Sequence, residues 1–172
     1  MRALGLAMMK KYRLHPPFGR RSPIMPILTR SSKEYRNVIP NFFYWALNKE
    51  SLRITGTGEE NRDFTFVDDI VDGTLRIGVV KEAVGEAVNL ASETETRVID
   101  LANWITELTG NEAGIVFRPR RDWDKVVKRK ASIEKARKIL GYEPSTNIKT
   151  GLKKTCEWIL ENKDKIEASA SF

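Results

Sequence analysis

The sequence predicts an α/β protein, because short β-prone runs alternate along the chain with segments of helical periodicity. The β-prone runs are rich in apolar and β-branched residues, as in Leu52 to Thr55, whereas the helical segments repeat apolar residues every three to four positions. Several helical segments end at a glycine, as at Gly110 and Gly141, which is the residue that most often follows the last helical turn.

Length and composition describe one folded domain. The chain has 172 residues, of which 41% are apolar and 31% charged, and this balance excludes a disordered protein. No apolar run approaches the roughly 20 residues that span a bilayer, and residues 1–12 lack the apolar centre of a signal peptide. A single cysteine, Cys156, excludes an internal disulfide, and with a single histidine, His15, no zinc-type His/Cys cluster forms. We therefore expect a cytoplasmic protein with no metal site and no membrane partner.

The formal net charge of +7 leaves two classes of partner open. Basic residues concentrate in residues 13–36 and again in residues 118–154. A nucleic-acid surface usually interleaves such clusters with aromatic residues, whereas Lys135, Arg137 and Lys138 suit an ordinary solvated helix face. Nucleic acid is the weaker interpretation, since an anionic small molecule explains the charge equally well.

The N-terminal elements follow from periodicity and turn residues. Residues 2–12 predict a helix, and residues 13–36 predict a loop because they contain four prolines (Pro16, Pro17, Pro23 and Pro26). Asn37 is the expected N-cap of the next helix, with Pro40 tolerated in its first turn. The apolar positions of that helix are Val38, Ile39, Phe42, Phe43, Ala46 and Leu47.

The middle of the chain predicts three strands and two helices. Strands are expected at Leu52–Thr55, Phe64–Val67 and Ala87–Ala91. Asp68 is the expected cap of a helix after the second strand, and another helix ends at Gly110. The stripe expected to be buried on the first helix is Ile70, Val71, Thr74, Leu75 and Gly78, and that on the second is Val98, Leu101, Ala102, Ile105 and Leu108.

The C-terminal part predicts one strand and two helices. The strand is Ile115–Phe117, and a helix follows from Ser132 through Leu140. The last helix runs from about residue 148 to 162 and buries Leu152, Cys156 and Ile159. Residues 163–172 are expected to be a frayed tail.

The most informative stretch is Gly56 to Ile70, which reads Gly-Thr-Gly-Glu-Glu-Asn-Arg-Asp-Phe-Thr-Phe-Val-Asp-Asp-Ile. Its glycine-rich turn allows a close backbone bend that delivers Arg62 to a fixed point. Arginine suits forked contact with phosphate, and a second cation, Arg121, occurs much later in the chain. The start of the helix after Asn37 also suits an anion. A plain loop with solvated arginines and routine capping is the alternative.

The motifs resemble the C-terminal half of NAD-dependent nucleotide-sugar epimerases and dehydratases, the extended short-chain dehydrogenase/reductase family. The resemblance covers about residues 37–162 and implies the C-terminal part of an extended Rossmann-type fold, including its small substrate-binding subdomain. Residues 1–12 then resemble the tail of a Rossmann-domain helix, and residues 13–36 form a basic segment that departs from the family. The matching motifs are Asn37-Val-Ile-Pro-Asn-Phe, Leu52-Arg-Ile-Thr-Gly-Thr-Gly, Arg62-Asp-Phe-Thr-Phe-Val-Asp-Asp-Ile, Val88-Asn-Leu-Ala, Pro119-Arg-Arg-Asp-Trp-Asp and Ser132-Ile-Glu-Lys-Ala-Arg-Lys-Ile-Leu-Gly-Tyr-Glu-Pro.

The resemblance implies a binding role for one set of residues near the N-terminal end of the matched region. Asn37 and the backbone of Val38 resemble the pair that contacts the substrate diphosphate. Arg53 and Thr55 occupy strand positions that flank the nucleobase.

It implies further roles for charged residues. Arg62 resembles the arginine that grips the diphosphate, and Arg121 a second phosphate arginine. Asp124 resembles the carboxylate that accepts a ribose hydroxyl, although a salt bridge to Arg120 or Lys125 is the alternative. By contrast, three other aspartates are expected to cap and pair rather than catalyse: Asp63, Asp68 and Asp69.

The family's redox elements are missing from this sequence. No Gly-x-x-Gly-x-x-Gly turn for the NAD pyrophosphate occurs, and no tyrosine is followed by lysine at the fourth position. The resemblance thus implies NAD as cofactor, but the half that binds it is absent, and we predict no catalytic or cofactor-binding residue here. We expect the chain to begin past the catalytic residues.

Three functions remain open. The first is the nucleotide-sugar-binding part of an epimerase, dehydratase or decarboxylase, inactive alone. The second is a non-catalytic nucleotide-sugar-binding or structural remnant. The third, which we disfavour, is a basic nucleic-acid-associated protein. A homodimer is expected only for a full-length form.

Overall fold

The computed structural model describes residues 37–120, 127–164 and 166. Helices and strands alternate through this part of the chain, which confirms the predicted α/β class. The elements are α1 (Val38–Leu47), β1 (Leu52–Thr55), β2 (Asn61–Asp63), α2 (Val67–Val79), β3 (Glu95–Arg97), α3 (Val98–Thr109), β4 (Ile115–Arg118), β5 (Lys128–Arg129), α4 (Glu134–Leu140) and α5 (Ile148–Glu161), with a 3-10 turn at Lys81–Ala83.

The strands form two small sheets. In the first, β1 and β4 pair in parallel, with Thr55 opposite Arg118. In the second, β2 lies between the antiparallel strand β3 and the parallel strand β5, and Arg62 lies opposite Thr96 on one side and Arg129 on the other. Sheets of two or three strands are marginal alone, so the helices that pack against them must supply most of the stability.

The larger core joins α1, α3 and α5 to β1. Phe42, Phe43, Leu101 and Ile105 are almost completely buried there, and burial of each such side chain stabilises the fold by about 1.5–3 kcal/mol. Cys156 lies in the same core, where burial raises the pKa of its thiol.

A second, smaller core centres on Tyr142, whose side chain is fully buried. It is built from residues of α4, the 3-10 turn and the segment that ends at Ala91. Gly73 of α2 lies against it, and a Cβ there would approach Tyr142 Cδ2 to 2.9 Å and Leu90 Cδ2 to 2.6 Å. The absence of a side chain at Gly73 therefore allows α2 to lie close to Tyr142.

Several predicted elements are confirmed. Asn37 is the residue before α1, β1 occupies the predicted residues, and Gly110 ends α3 in the left-handed conformation at φ 59°. Helix α5 buries the predicted apolar face. Helix α4 begins two positions later than predicted, and the Ser132 hydroxyl oxygen accepts the N–H of Glu134 at 3.4 Å.

The predicted strand Phe64–Val67 and the predicted cap Asp68 are wrong. The strand is Asn61–Asp63, which is paired by β3 and β5. Phe64 and Phe66 are buried instead, and Phe66 takes the N-cap position of α2. Aromatic residues predicted the strand, but the backbone partners lie beside the preceding three residues.

The predicted buried stripe of α2 is also wrong. The buried residues of this helix are Asp69 and Gly73. Leu75 is 58% exposed and Val79 is 78% exposed, and Val67 and Val71 are exposed on the same helix. Most apolar positions of α2 are therefore exposed, although Ile77 packs against the second core, and the residues that the helix buries are a glycine and a hydrogen-bonded carboxylate.

The predicted strand Ala87–Ala91 is wrong as well, since these residues have no strand partner in the described part of the chain. The predicted helix at residues 2–12 and the predicted loop at residues 13–36 lie outside the described residues, so both stay predictions. Of the tail predicted to fray from residue 163, Ile166 is buried in the larger core, and residues 167–172 lie outside the described part. No helix within the described ranges is both long and apolar enough to cross a bilayer.

Candidate functional site

Asn37 takes the extended backbone of an N-cap residue before α1, as predicted. Its carbonyl accepts the N–H of Asn41 at 3.4 Å, but its side chain makes no capping hydrogen bond to the helix. The first turn of α1 therefore lacks a side-chain cap, and its partial positive charge suits an anion. Val38, the next predicted site residue, is half-buried against the larger core and so fixes the position of this turn.

Arg53 and Thr55 lie together on the exposed face of β1, while Leu52 and Ile54 face the core. The Arg53 guanidinium is already engaged, since it pairs with Glu50 at 3.2 Å and lies 5.2 Å from the Trp45 ring. The Arg53 head group is thus held against its own neighbours, and Thr55 is the other exposed side chain of β1.

The turn from β1 to β2 is organised by the buried carboxylate of Glu60. Its Oε2 accepts the N–H of Gly58 at 2.9 Å, and its Oε1 lies 3.4 Å from the N–H of Thr57. Gly56 has φ +100°, and a Cβ there would collide with Glu60 Oε1. The turn thus requires glycine at this point, and its backbone leads directly to Arg62.

Arg62 is half-buried on β2. Its Nη1 donates to the Asn61 carbonyl at 2.8 Å and to the Val127 carbonyl at 3.1 Å. The side chain is thus tethered at the junction of β2 and β5. A tethered guanidinium is suited to bind a phosphate in a fixed orientation.

The predicted structural role of two nearby aspartates is confirmed. Asp63 Oδ1 accepts the Ser92 N–H at 3.1 Å and the Ser92 hydroxyl at 2.6 Å, and Asp63 Oδ2 accepts the Glu93 N–H at 3.1 Å. The buried Asp69 carboxylate accepts hydrogen bonds from Ser145 and Thr146. Both carboxylates therefore hold distant loops in place.

Arg121 and Asp124, the remaining predicted site residues, lie outside the described residues. The chain on either side of them is described. On one side β4 ends beside Thr55, and on the other Val127 accepts a hydrogen bond from Arg62. The described chain before this segment thus lies beside Thr55 of β1, and the chain after it contacts Arg62 of β2. Thr55 and Arg62 are both predicted ligand residues.

Two features of this region escaped the sequence prediction. Glu60 was not recognised as the residue that organises the turn, although a glutamate just after two closely spaced glycines was a usable signal. Arg129 was not recognised as a neighbour of Arg62, because β5 has only two residues and no periodicity.

Tyr142 is the most buried tyrosine among the described residues, and its role is structural. Its hydroxyl donates to the Ala91 carbonyl at 3.2 Å. Burial, with smaller contributions from Asp69 and Asp63, raises the pKa of Tyr142 to about 12. A general acid or base at neutral pH requires the opposite shift, so Tyr142 is unsuited to that task.

The residues present do not fit a dinucleotide cofactor. The pyrophosphate of such a cofactor requires a glycine-rich turn between a strand and a helix. The glycines of this chain never follow the Gly-x-x-Gly-x-x-Gly spacing, and the Gly56–Gly58 turn joins two strands.

The chain resembles solved structures of larger proteins. It matches an epimerase from Methanothermobacter thermautotrophicus with a TM-score of 0.79 and 56% identity, covering 80% of this chain and 41% of that one. The enzyme WbmF of Bordetella bronchiseptica, in complex with NAD+ and UDP, matches with a TM-score of 0.68 and 40% identity, covering 77% of this chain and 39% of that one.

Sequence comparisons agree with the structural ones. UDP-glucuronic acid decarboxylase 2 of Arabidopsis thaliana is 39% identical over 115 residues, which are 67% of this chain and 25% of that protein. The model of the NAD-dependent epimerase/dehydratase family matches residues 7–91. That range includes residues 13–36, for which a departure from the family pattern stays a prediction.

The fold is the α/β fold of Rossmann-type epimerases. Within that class, the chain belongs to the NAD-dependent epimerase/dehydratase family, the extended short-chain dehydrogenase/reductases. It spans well under half the length of the relatives that it matches, as the shares of 25% and 41% indicate.

Proposed function

We propose that this chain binds a nucleoside diphosphate sugar, as the substrate-binding part of an NAD-dependent epimerase, dehydratase or decarboxylase. The observation that carries the proposal is the tether of Arg62 by two carbonyls, from Asn61 and Val127. It holds a guanidinium at the junction of two strands, beside the end of the segment with Arg121 and Asp124.

Two other elements support the same ligand. The first turn of α1, which begins after Asn37 and lacks a side-chain cap, suits a phosphate. Arg53 and Thr55, which we propose flank the nucleobase, lie on the exposed face of β1. The roles of Arg121 and Asp124 as phosphate and ribose ligands are part of the proposal.

Relatives support a uridine nucleotide. The matched WbmF structure holds UDP, and the matched Arabidopsis enzyme acts on UDP-glucuronic acid by its name. The WbmF structure also holds NAD+, but this chain lacks the glycine-rich turn and the Tyr-x-x-x-Lys pair that the family uses. We therefore propose nucleotide-sugar binding without hydride transfer by these residues alone.

Calorimetric titration of the full chain with UDP-glucose tests the proposal. Replacement of Arg62 by glutamine should weaken binding about tenfold or more, since a charge-assisted hydrogen bond contributes about 1.5–3 kcal/mol. Lys153→Gln removes the same charge from the exposed face of α5 and should change affinity less than twofold.

Duplex DNA at moderate salt is the competing ligand in this test. Tighter binding of DNA, together with no measurable binding of UDP-glucose, would contradict the proposal and favour the basic nucleic-acid-associated protein. An equal effect of the Arg62 and Lys153 variants would show that the binding is nonspecific attraction to a basic surface.

A further inference from the structure

Four exposed apolar side chains form a row along α2, four positions apart: Val67, Val71, Leu75 and Val79. We call this row the α2 stripe. Residues spaced by four lie on the same side of a helix, so the stripe is continuous, and it runs about 18 Å along the helix axis. The other side of α2 is engaged, since Ile77 packs against the second core and Asp69 accepts hydrogen bonds from the loop before α5.

The exposure of this row requires an explanation. Single exposed apolar residues are common on protein surfaces, but a continuous apolar row on one helix face marks a contact surface. The exposed fraction reaches 58% at Leu75 and 78% at Val79. The α2 stripe is therefore a contact surface that the described residues leave largely uncovered.

Residues 1–12 have a pattern that complements the α2 stripe. They lie outside the described residues, and their sequence predicts an amphipathic helix. One face of that helix carries four apolar residues over about 17 Å, which matches the length of the α2 stripe. We call these residues the N-terminal stripe: Met1, Leu4, Met8 and Tyr12.

Charge favours the same pairing. Asp68 and Asp72 are exposed on α2 and border its apolar stripe. Residues 1–12 contain no acidic residue and three basic ones, which are Arg2, Lys10 and Lys11. Opposite charges at the rim of an apolar contact favour association and fix its register. A second copy of α2, which carries more acidic than basic residues, lacks this complementarity.

The connecting chain is long enough for this contact. Residues 13–36 join the N-terminal segment to α1 and, when extended, can span roughly 80 Å. A domain of this size has a radius of gyration of roughly 14 Å, so α2 is within reach. The family model matches residues 7–91 and thus includes both α2 and part of the N-terminal segment.

We propose that residues 1–12 pack against α2 as an amphipathic helix, with the N-terminal stripe against the α2 stripe. The contact covers the exposed apolar side chains of α2 and holds the start of the chain on the outer side of that helix. It requires no ligand, so its test measures stability rather than affinity, and the result is independent of the proposed function.

Urea denaturation of the full chain tests the contact with paired substitutions. The α2 pair, Val71→Gln with Leu75→Gln, changes the centre of the α2 stripe. The N-terminal pair, Leu4→Gln with Met8→Gln, changes the centre of the N-terminal stripe. Because central residues meet whichever way the two helices run, the test does not depend on their relative direction.

The control pair is Leu108→Gln with Leu160→Gln, at apolar positions of α3 and α5. Their exposed fractions of 40% and 56% resemble the 49% of Val71 and the 58% of Leu75. Substitutions at exposed positions without a contact have small effects, so the control pair should change the folding equilibrium constant less than about threefold.

The α2 pair and the N-terminal pair should each lower the folding equilibrium constant at least about tenfold, because each removes apolar burial. Combined in one chain, they should lower it by less than the product of the two effects, since both disrupt the same contact. The effects of the control pair and the N-terminal pair should instead multiply, because these positions share no contact.

The inference is overturned if the α2 pair lowers the folding equilibrium constant no more than the control pair does. It is also overturned if the effects of the α2 pair and the N-terminal pair multiply. Sedimentation velocity identifies a competing occupant. A dimer that dissociates in the α2 pair and persists in the N-terminal pair would assign the α2 stripe to a second copy of this chain and contradict the inference.

Discussion

The buried carboxylate of Asp69 accepts hydrogen bonds at Oδ1 from both the N–H and the hydroxyl of Ser145, at 3.0 and 3.2 Å. Its Oδ2 accepts the N–H of Thr146 at 3.2 Å. One side chain thus joins the first turn of α2 to the loop before α5, across 76 residues of sequence.

Asp69→Asn should therefore lower the free energy of unfolding by about 1–3 kcal/mol, because an amide nitrogen replaces one accepting oxygen and leaves a backbone N–H unsatisfied. Urea denaturation measures the effect. Asp68→Asn, at the exposed neighbouring position of the same helix, makes the same change in charge and should cost less than about 0.5 kcal/mol. Equal losses in the two variants would contradict a specific role for Asp69.

Gly56→Ala should destabilise the chain more than Gly85→Ala does. Both glycines have positive φ, +100° and +80°, which costs alanine roughly 1–2 kcal/mol at each position. Only at Gly56 would the added Cβ collide with the Glu60 carboxylate, which then loses its hydrogen bonds to the turn; a Cβ at Gly85 has no neighbour within 4 Å. We expect an extra loss of about 1 kcal/mol or more, measured by thermal or urea unfolding. Equal costs would show that Glu60 moves away freely.

Glu93 should make stability depend on pH. Its φ is +58°, and its carboxylate accepts a hydrogen bond from Arg137 Nη1 at 2.6 Å, which lowers the pKa of Glu93 below its ordinary value of 4.5. The unfolded chain therefore binds a proton at a higher pH than the folded chain does. The stabilisation is complete above about pH 4.5 and is lost as the pH falls through the lowered pKa of the folded state.

Urea denaturation between pH 3 and pH 7 measures this effect. At neutral pH the wild-type chain should unfold at a higher midpoint urea concentration than Glu93→Gln, and this difference should shrink below roughly pH 4.5. Glu82→Gln, in the exposed 3-10 turn, is the matched control and should not alter the pH profile. A gap of constant size at all pH values would mean that the Arg137 contact does not depend on the charge of Glu93.

Arg53→Ala should leave the affinity for UDP-glucose within a factor of about two, unlike Arg62→Gln. The Arg53 guanidinium lies against Glu50 and the Trp45 ring, so the nucleobase is expected to meet the strand backbone instead. Calorimetric titration distinguishes the cases. A tenfold loss would show that the Arg53 head group turns toward the ligand on binding.

Sequence periodicity correctly predicted the elements whose apolar residues recur at regular intervals along the chain. Helices α3 and α5 each show an apolar face, and glycine marks the end of α3, so both helices were predicted correctly. Within the stripe predicted for α3, Leu108 is the exception, since it is 40% exposed. Strand β1 was also predicted correctly, and in the structure its buried and exposed residues alternate with the side-chain period of a strand.

The failures have long-range causes. Strand β2 has the sequence Asn-Arg-Asp, and it forms because residues 95–97 and 128–129 provide its backbone partners. In α2 four of the apolar residues, Val67, Val71, Leu75 and Val79, are exposed, while Asp69 is buried and accepts hydrogen bonds from residues 76 and 77 positions away. The sequence could likewise predict which residues of the site are candidate ligands. It could not predict the contact of Arg62 with Val127, because these residues are 65 positions apart in the chain.

The tether of Arg62 has an energetic consequence for ligand binding. A free arginine on a loop loses rotational freedom when it grips a phosphate, at a cost of about 0.5–1.5 kcal/mol for a long side chain. In this protein the two carbonyl contacts impose that loss during folding, before any ligand arrives. Preorganisation of this kind makes the contact with the anion more favourable, because the Arg62 side chain has lost this rotational freedom before the anion binds.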